Sequence, residues 1–248
     1  MSSIRKRDLS LYIEERRLAG KSNGTINREI SVLSAAINYA VKRWDWNIIN
    51  PARGLLLKQS EGRLRWITEQ EARSLLQAAR SGDAPHLEDF IRLALHTGMR
   101  RNEILNLEHA RIDLPGNRIH LSGDQTKSGR RRIIPINRIA REAIQNRMAW
   151  NESQGLTHTR LFLQRNGKPV VQINTAFKNA TQRAGIEDFR IHDLRHTFAS
   201  WLVSSGVPLP EVRDLLGHSS IRQTERYAHL APGRLEAAVA VLDCMTCT

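Results

Sequence analysis

The chain has 248 residues, enough for one hydrophobic core and a small second domain. Lys and Arg number 38 against 25 Asp and Glu, so the formal net charge is +13 at pH 7, which favours a polyanionic partner. The start, MSSIRKRDLS, lacks the apolar core of a signal peptide, and no apolar run reaches membrane-spanning length. These features argue against a secreted or membrane protein, and we expect a cytoplasmic, nucleoid-associated one.

The positive charge is densest near the start of the chain. The first 60 residues carry 11 basic and 5 acidic side chains. This density is expected of a segment that lies along a polyanion and releases its counterions. On charge alone, a generally basic surface without a nucleic-acid partner is the alternative.

Two cysteines occur, Cys244 and Cys247, both in the terminal DCMTCT. A C-x-x-C pair can supply half of a zinc site, but a zinc site needs four ligands and no second pair is present. We interpret these thiols as incidental and expect no metal and no cofactor.

Apolar periodicity predicts a partial helical domain over residues 1–55. A short helix is expected in LSLYIEERRLAG, ending at Gly20, and a longer one in TINREISVLSAAINYAVKRW. The longer segment has an apolar stripe at three- and four-residue spacing, formed by Ile26, Ile30, Leu33, Ile37, Val41 and Trp44. Asn50-Pro51 ends the helical pattern, and an irregular linker is predicted over 56–65.

Residues 66–248 are predicted to form a mainly α domain with a small antiparallel β-hairpin or sheet. Thr68 and Glu71 form a capping box at its first helix. The strands are NRIHLSG and RRIIPI, with Lys127 in or beside the loop. Gly206 and Gly217 are expected just after helix ends. Further helices are expected at 87–96, from 100 after the break at Gly98, and at 138–151, 174–184, 194–205, 209–216, 220–228 and 234–242.

Four residues near the end of the chain suggest phosphodiester chemistry. They are His192 and Arg195 in IHDLRHTF, His218 in LLGHSS, and Tyr227 in TERYAH. A phenol ionises near pH ~10, so it becomes a nucleophile only when neighbours take its proton. Because arginine can hold a phosphate by two parallel hydrogen bonds, the pattern predicts a tyrosine nucleophile aimed at a phosphodiester.

Two upstream segments add candidate residues. Arg100 is predicted in the first turn of a helix, where the positive end of the helix dipole disfavours it unless an anion binds there. The alternative is that Arg100 is an ordinary surface arginine whose charge is screened by solvent. Glu103 is expected to pair with an arginine. Lys127 could reach a DNA minor groove and bring an ammonium to a leaving oxygen, whereas a lysine before three arginines is more often solvated.

Two other interpretations use the same residues. His192 and His196, four apart, could be zinc ligands, but the glutamate of the metalloprotease motif is missing and Arg195 lies between them. The stretch LPEVRDLLGHSSIRQTERYAHL could form a helix-turn-helix with Gly217 at the turn. The protein would then be a repressor in which Tyr227 only packs.

The segments TGMRRNEILNL, TKSGRRRIIPI, HDLRHTFASWL and LLGHSSIRQTERYAHL, in this order, resemble the tyrosine recombinase (phage integrase) family over about residues 64–242. By this resemblance Arg100 is the first catalytic arginine, Glu103 its acidic companion and Lys127 the lysine that protonates the departing 5′ oxygen. The histidine–arginine pair, the late histidine and the nucleophile are implied to be His192 and Arg195, His218 and Tyr227. The resemblance also implies that His192 serves in proton transfer with Tyr227.

The resemblance implies site-specific integration or excision of double-stranded DNA through a 3′-phosphotyrosyl intermediate, without ATP or metal. It also implies a homotetramer on DNA and accessory DNA-bending proteins. The earlier helices of the family's core-binding domain have no counterpart here, which suggests either a minimal clamp or a shortened, prophage-derived gene product. The alternatives are a non-catalytic DNA-binding protein, such as a decayed integrase or repressor, and a type IB topoisomerase.

Overall fold

The chain forms two compact units, Met1–Arg63 and Leu64–Thr248. The computed structural model describes residues 4–58, 63–123, 131–233, 239–240 and 242. The division between the units falls within the segment predicted as a linker, 56–65. Among the described residues, no helix combines the length and apolar character needed to cross a membrane.

The first unit is a pair of helices, α1 (Lys6–Leu18) and α2 (Asn23–Arg43). Ser22 caps α2 by accepting a hydrogen bond from the backbone N–H of Thr25. The buried core of the unit comes from both helices and the segment after them: Leu9, Ile13, Ile26, Ile30 and Ala52. The Asn27 side chain binds both the N–H and the C=O of Leu57, so the chain up to 58 stays with this unit.

The second unit is mainly helical and is built around α4, which packs against α3, α5, α6 and α8. The capping box predicted at Thr68 and Glu71 is present at the start of α3. The helices are α3 (Glu69–Arg80), α4 (Leu87–Thr97), α5 (Arg101–Leu105), α6 (Arg138–Ser153), α7 (Asn174–Arg183), α8 (Ile191–Ser204), α9 (Leu209–Leu216) and α10 (Arg222–Glu225).

A three-stranded antiparallel sheet, in the order β1-β2-β3, lies between α5 and α6 in sequence. Its strands are β1 (Ile112–Asp113), β2 (Arg118–Leu121) and β3 (Arg132–Pro135). β2 and β3 are the predicted hairpin strands, and Ile119 pairs with Ile134 on the buried face. Since side chains alternate along a strand, Arg132 shares the face of Ile134.

Two predicted helices differ from the structure. α8 begins at Ile191 rather than 194, so His192 lies in its first turn. α10 covers four residues rather than 220–228, and Tyr227 therefore follows a single turn. Most of the predicted helix 234–242 lies outside the described residues, as do Cys244 and Cys247.

Gly98 ends α4 in the left-handed conformation, with φ +62°, and an added Cβ would lie 2.7 Å from Cε1 of Phe198. We expect Gly98→Ala to lower the free energy of unfolding by about 2–5 kcal/mol, from backbone strain plus overlap with Phe198. Gly185 is the matched control, since it has φ +66° and open space around its Cβ position. Gly185→Ala should cost about 1–2 kcal/mol. Equal losses in denaturant titrations would show that the contact with Phe198 is unimportant.

Candidate active site

A cleft of about 680 Å³ brings five of the six predicted site residues together. The five are Arg100, His192, Arg195, His218 and Tyr227. The sixth, Lys127, lies outside the described residues. Residues that were not predicted also line the cleft: His196, Gly217, Ser219, Arg222, Gln223 and Arg226.

Helix ends place these side chains around the cleft. Arg100 is the N-cap of α5 rather than part of its first turn, three residues after the end of α4. His192 and Arg195 lie on the first turns of α8. His218 follows Gly217, the left-handed C-cap of α9, and Tyr227 follows α10. Four separate parts of the chain thus meet through their termini.

Arg195 is the most constrained cation in the cleft. It is 4% exposed, and its guanidinium donates from Nη1 to the carbonyl oxygen of Gly98 (2.7 Å) and from Nη2 to that of Leu216 (2.6 Å). Each Nη carries a second N–H, so the fixed guanidinium keeps donors for an anion in the cleft. Burial, together with Arg100 and Arg132, lowers the pKa of Arg195 to about 9.

Glu103 pairs with two arginines and fixes both. Its side chain is 2% exposed and accepts hydrogen bonds from Nη1 of Arg100 (2.9 Å) and Nη2 of Arg132 (2.8 Å). The backbone N–H of Arg100 also donates to it, at 2.8 Å. The prediction that Glu103 holds an arginine is confirmed, and the second partner, Arg132, was not anticipated.

Arg132 connects β3 to the end of α9. Its guanidinium donates to the carbonyl oxygen of Leu216, the same oxygen that receives Arg195. Gly217 has φ +63°, and a Cβ there would overlap the Arg132 side chain. The turn that leads to His218 therefore needs glycine both for its backbone conformation and for the approach of Arg132.

His218 is held as a neutral imidazole. Its Nδ1 lies 2.9 Å from the hydroxyl of Thr224, which is fully buried. Burial and the nearby Arg195 lower the pKa of His218 to about 3. Burial, followed by Arg195, also lowers the pKa of His192. Both histidine side chains are therefore uncharged at neutral pH.

Tyr227 lines the cleft and is 1% exposed. Its ring belongs to a buried cluster with residues of α8 and α9, among them Phe198, Val212 and Leu216. Its hydroxyl oxygen lies 2.5 Å from Nδ1 of His196. Burial raises the pKa of Tyr227 to about 12, although Arg226 and Arg195 act in the opposite direction.

Three contributors to this site were not predicted from the sequence. Arg132 was grouped with a solvated basic loop, although its alternation with Ile134 points to the buried face of β3. His196 was considered only as a zinc ligand, although it lies one turn after His192. The third, Thr224, carries no signal in the sequence that distinguishes it from a surface threonine.

The zinc interpretation of His192 and His196 has no geometric support in the described part of the chain. The two rings meet edge to face, with centroids 5.0 Å apart. No group of three or more candidate metal ligands occurs among the residues that the structure describes. Instead, His196 makes its contact with Tyr227.

Comparison with known proteins identifies the family. The family model described as "Phage integrase family" matches residues 65–234. The integrase of Salmonella phage P22 is 32% identical over 222 residues, which are 86% of this chain and 56% of that protein. The chain thus spans little more than half the length of this relative.

Solved structures agree with this assignment. The catalytic domain of bacteriophage HP1 integrase is 31% identical, with a TM-score of 0.56, over 72% of this chain and 95% of that one. The Tn1549 transposon integrase, solved with a circular intermediate DNA, shares the fold at a TM-score of 0.81 and 22% identity, over 98% and 86% of the two chains. The match covers more than half of the sequence and contains the whole cleft, so the chain belongs to the phage integrase family.

Proposed function

We propose that this chain performs site-specific DNA recombination by strand cleavage and rejoining, with Tyr227 as the nucleophile. The observation that carries the proposal is the convergence of Arg100, Arg195 and two neutral histidines on the cleft that Tyr227 lines. Donors fixed in advance stabilise a transition state because they need no reorganisation during the reaction.

In this proposal each side chain has a defined task. Arg100 and Arg195 hold the non-bridging oxygens of the scissile phosphate, and His218 donates a further hydrogen bond. Tyr227 attacks the phosphorus, which forms a 3′-phosphotyrosyl bond and breaks the bond to the 5′ oxygen. Lys127 protonates that oxygen. The ester conserves the bond energy, so the 5′ hydroxyl of another strand can reverse the step.

The partner in this proposal is double-stranded DNA. The +13 charge of the chain and its structural similarity to the Tn1549 integrase, which was solved with DNA, support this partner. A homotetramer, accessory DNA-bending proteins and nucleoid association belong to the same proposal. The first unit, with its basic surplus, would act as a short DNA clamp.

A repressor with a helix-turn-helix is the weaker candidate. α10 has four residues, too short for a recognition helix that lies in the major groove. Tyr227, which would only pack in a repressor, instead lines a cleft that also contains the buried Arg195.

Covalent capture tests the proposal without knowledge of the target site. The protein is incubated with a pool of nicked genomic fragments in which cleavage releases a short strand and prevents rejoining. Complexes that survive denaturing detergent are digested with nuclease and trypsin. We expect the nucleotide on the peptide that starts at Tyr227, since trypsin cleaves after Arg226. The absence of an adduct, or an adduct on another residue, would contradict the proposal.

A further inference from the structure

The histidine that contacts the nucleophile has no task in the proposed mechanism. His196 is 7% exposed and lines the same cleft as Tyr227. Its Nδ1 lies 2.5 Å from the Tyr227 hydroxyl, and the two ring centroids are 5.9 Å apart. His192, to which the family resemblance assigns the proton transfer, meets the ring of His196 at 87°.

We propose that His196 is a catalytic residue that accepts the proton of Tyr227 as the phenol attacks the phosphate. This inference rests on the proposed function. A phenol must lose its proton to become a strong nucleophile, and a general base must lie within hydrogen-bond reach of that proton. His196 Nδ1 meets this requirement in the free protein.

The step is balanced in atoms and charge. The proton passes from the Tyr227 hydroxyl to Nδ1 of His196 while the bond from the phenolic oxygen to phosphorus forms. The bond from phosphorus to the 5′ oxygen breaks, and that oxygen receives a separate proton from Lys127. His196 becomes an imidazolium and returns its proton to Tyr227 when a 5′ hydroxyl reverses the reaction.

The surrounding charges link this proton transfer to substrate binding. Apart from Tyr227, the titratable side chains that line the cleft around His196 are cationic or neutral: Arg100, His192, Arg195, His218, Arg222 and Arg226. Burial raises the pKa of Tyr227 most, and the carboxylate of Asp193, on α8 outside this lining, raises it further. Without DNA the arginines oppose a positive charge on His196, although Arg226 and Arg195 also act against the burial that raises the pKa of Tyr227. A bound phosphate brings negative charge beside them and offsets that opposition. We therefore expect a bound phosphate to favour the proton transfer from Tyr227 to His196.

Because Tyr227 is buried, its phenol depends strongly on a general base to lose its proton. Because its pKa is about 12, very little phenolate exists at neutral pH without assistance. General-base catalysis contributes on the order of 10²–10⁴ in rate. His196→Gln should reduce the single-turnover cleavage rate by that factor at pH 7.

The test compares two leaving groups on captured target sequences. One substrate has the normal 5′ oxygen, and the other has sulfur in its place, which leaves without protonation. Lys127→Ala should be slow on the first and restored on the second, whereas His196→Gln should be slow on both. His229→Gln is the control. Because His229 lies outside the cleft, this variant should cleave both substrates at the normal rate.

The dependence of rate on pH separates base catalysis from packing. Between pH 6 and 8, below the pKa of about 9 of Arg195, the rate of His196→Gln should rise about tenfold per pH unit, since hydroxide must replace the base. The unmodified protein should respond less steeply. A purely structural loss would lower the rate by the same factor at every pH. That result would overturn the proposal, as would normal or faster cleavage by His196→Gln.

Two further results separate this inference from the proposed function. No cleavage by the unmodified protein would count against the function as a whole, and cleavage with a fully active His196→Gln only against His196. Nitrogen-15 NMR of the DNA-free protein reads the hydrogen bond itself, even if the variant does not fold. An unprotonated Nδ1 on His196 supports the proposal, and a protonated Nδ1 overturns it.

Discussion

Replacement of Tyr227 by phenylalanine is expected to abolish covalent capture of DNA, by at least about 10⁴-fold, while the second unit stays folded. The variant lacks the only atom that attacks phosphorus in the proposed mechanism. Its ring still fills the cluster with Phe198, Val212 and Leu216. Loss of the bond to His196 should cost about 1–3 kcal/mol. Denaturing gels measure capture, and thermal unfolding measures stability.

Tyr39→Phe is the control for this prediction. Tyr39 lies in the first unit and is 56% exposed, so its replacement should leave both capture and stability unchanged. DNA affinity of Tyr227→Phe, measured by fluorescence anisotropy, should stay within about twofold because the arginines remain in place. An adduct that persists in Tyr227→Phe would assign the nucleophile to another residue.

Glu103→Gln is expected to have the second-largest effect, with a loss of about 3–5 kcal/mol in unfolding free energy. The amide keeps the shape of the carboxylate but removes its charge. Arg132 would then lie buried, at 10% side-chain exposure, without a counter-ion, and Arg100 would lose its partner. Cleavage should fall by roughly 10²–10³, since Arg100 is no longer fixed. Denaturant titration and single-turnover cleavage measure the two losses.

Glu88→Gln provides a matched control. Glu88 also binds two arginines, Arg80 and Arg92, each at 2.8 Å. It lies on α4 outside the cleft, and Arg80 is 70% exposed. Its replacement should cost at most about 1 kcal/mol and leave cleavage unchanged. Equal losses at Glu88 and Glu103 would show that the buried cluster has no special role.

Periodicity and capping predicted most of the helices of the second unit. α4, α6, α7 and α9 lie within a few residues of their predicted bounds. Gly98 and Gly217 end helices in the left-handed conformation, which accounts for the accuracy at those termini. Periodicity and capping succeed here because they depend only on residues that are close together in the sequence.

The contacts that organise the cleft depend on tertiary structure and could not be predicted in this way. Arg132 pairs with Glu103 across 29 residues, and His196 meets Tyr227 across 31. Neither separation leaves a pattern in a single sequence. The excess length predicted for α10 has a similar cause, since the segment carries helix-forming residues although Tyr227 must enter the buried cluster after one turn.

The ligands of Arg195 have a consequence for the electric field in the cleft. Carbonyl oxygens are dipoles without net charge, so Gly98 and Leu216 orient the guanidinium without cancelling its positive charge. A carboxylate there would fix the side chain equally well but would repel a phosphate. Among the described residues that line the cleft, none is acidic. The field therefore remains positive, and an incoming polyanion meets attraction before it makes any contact.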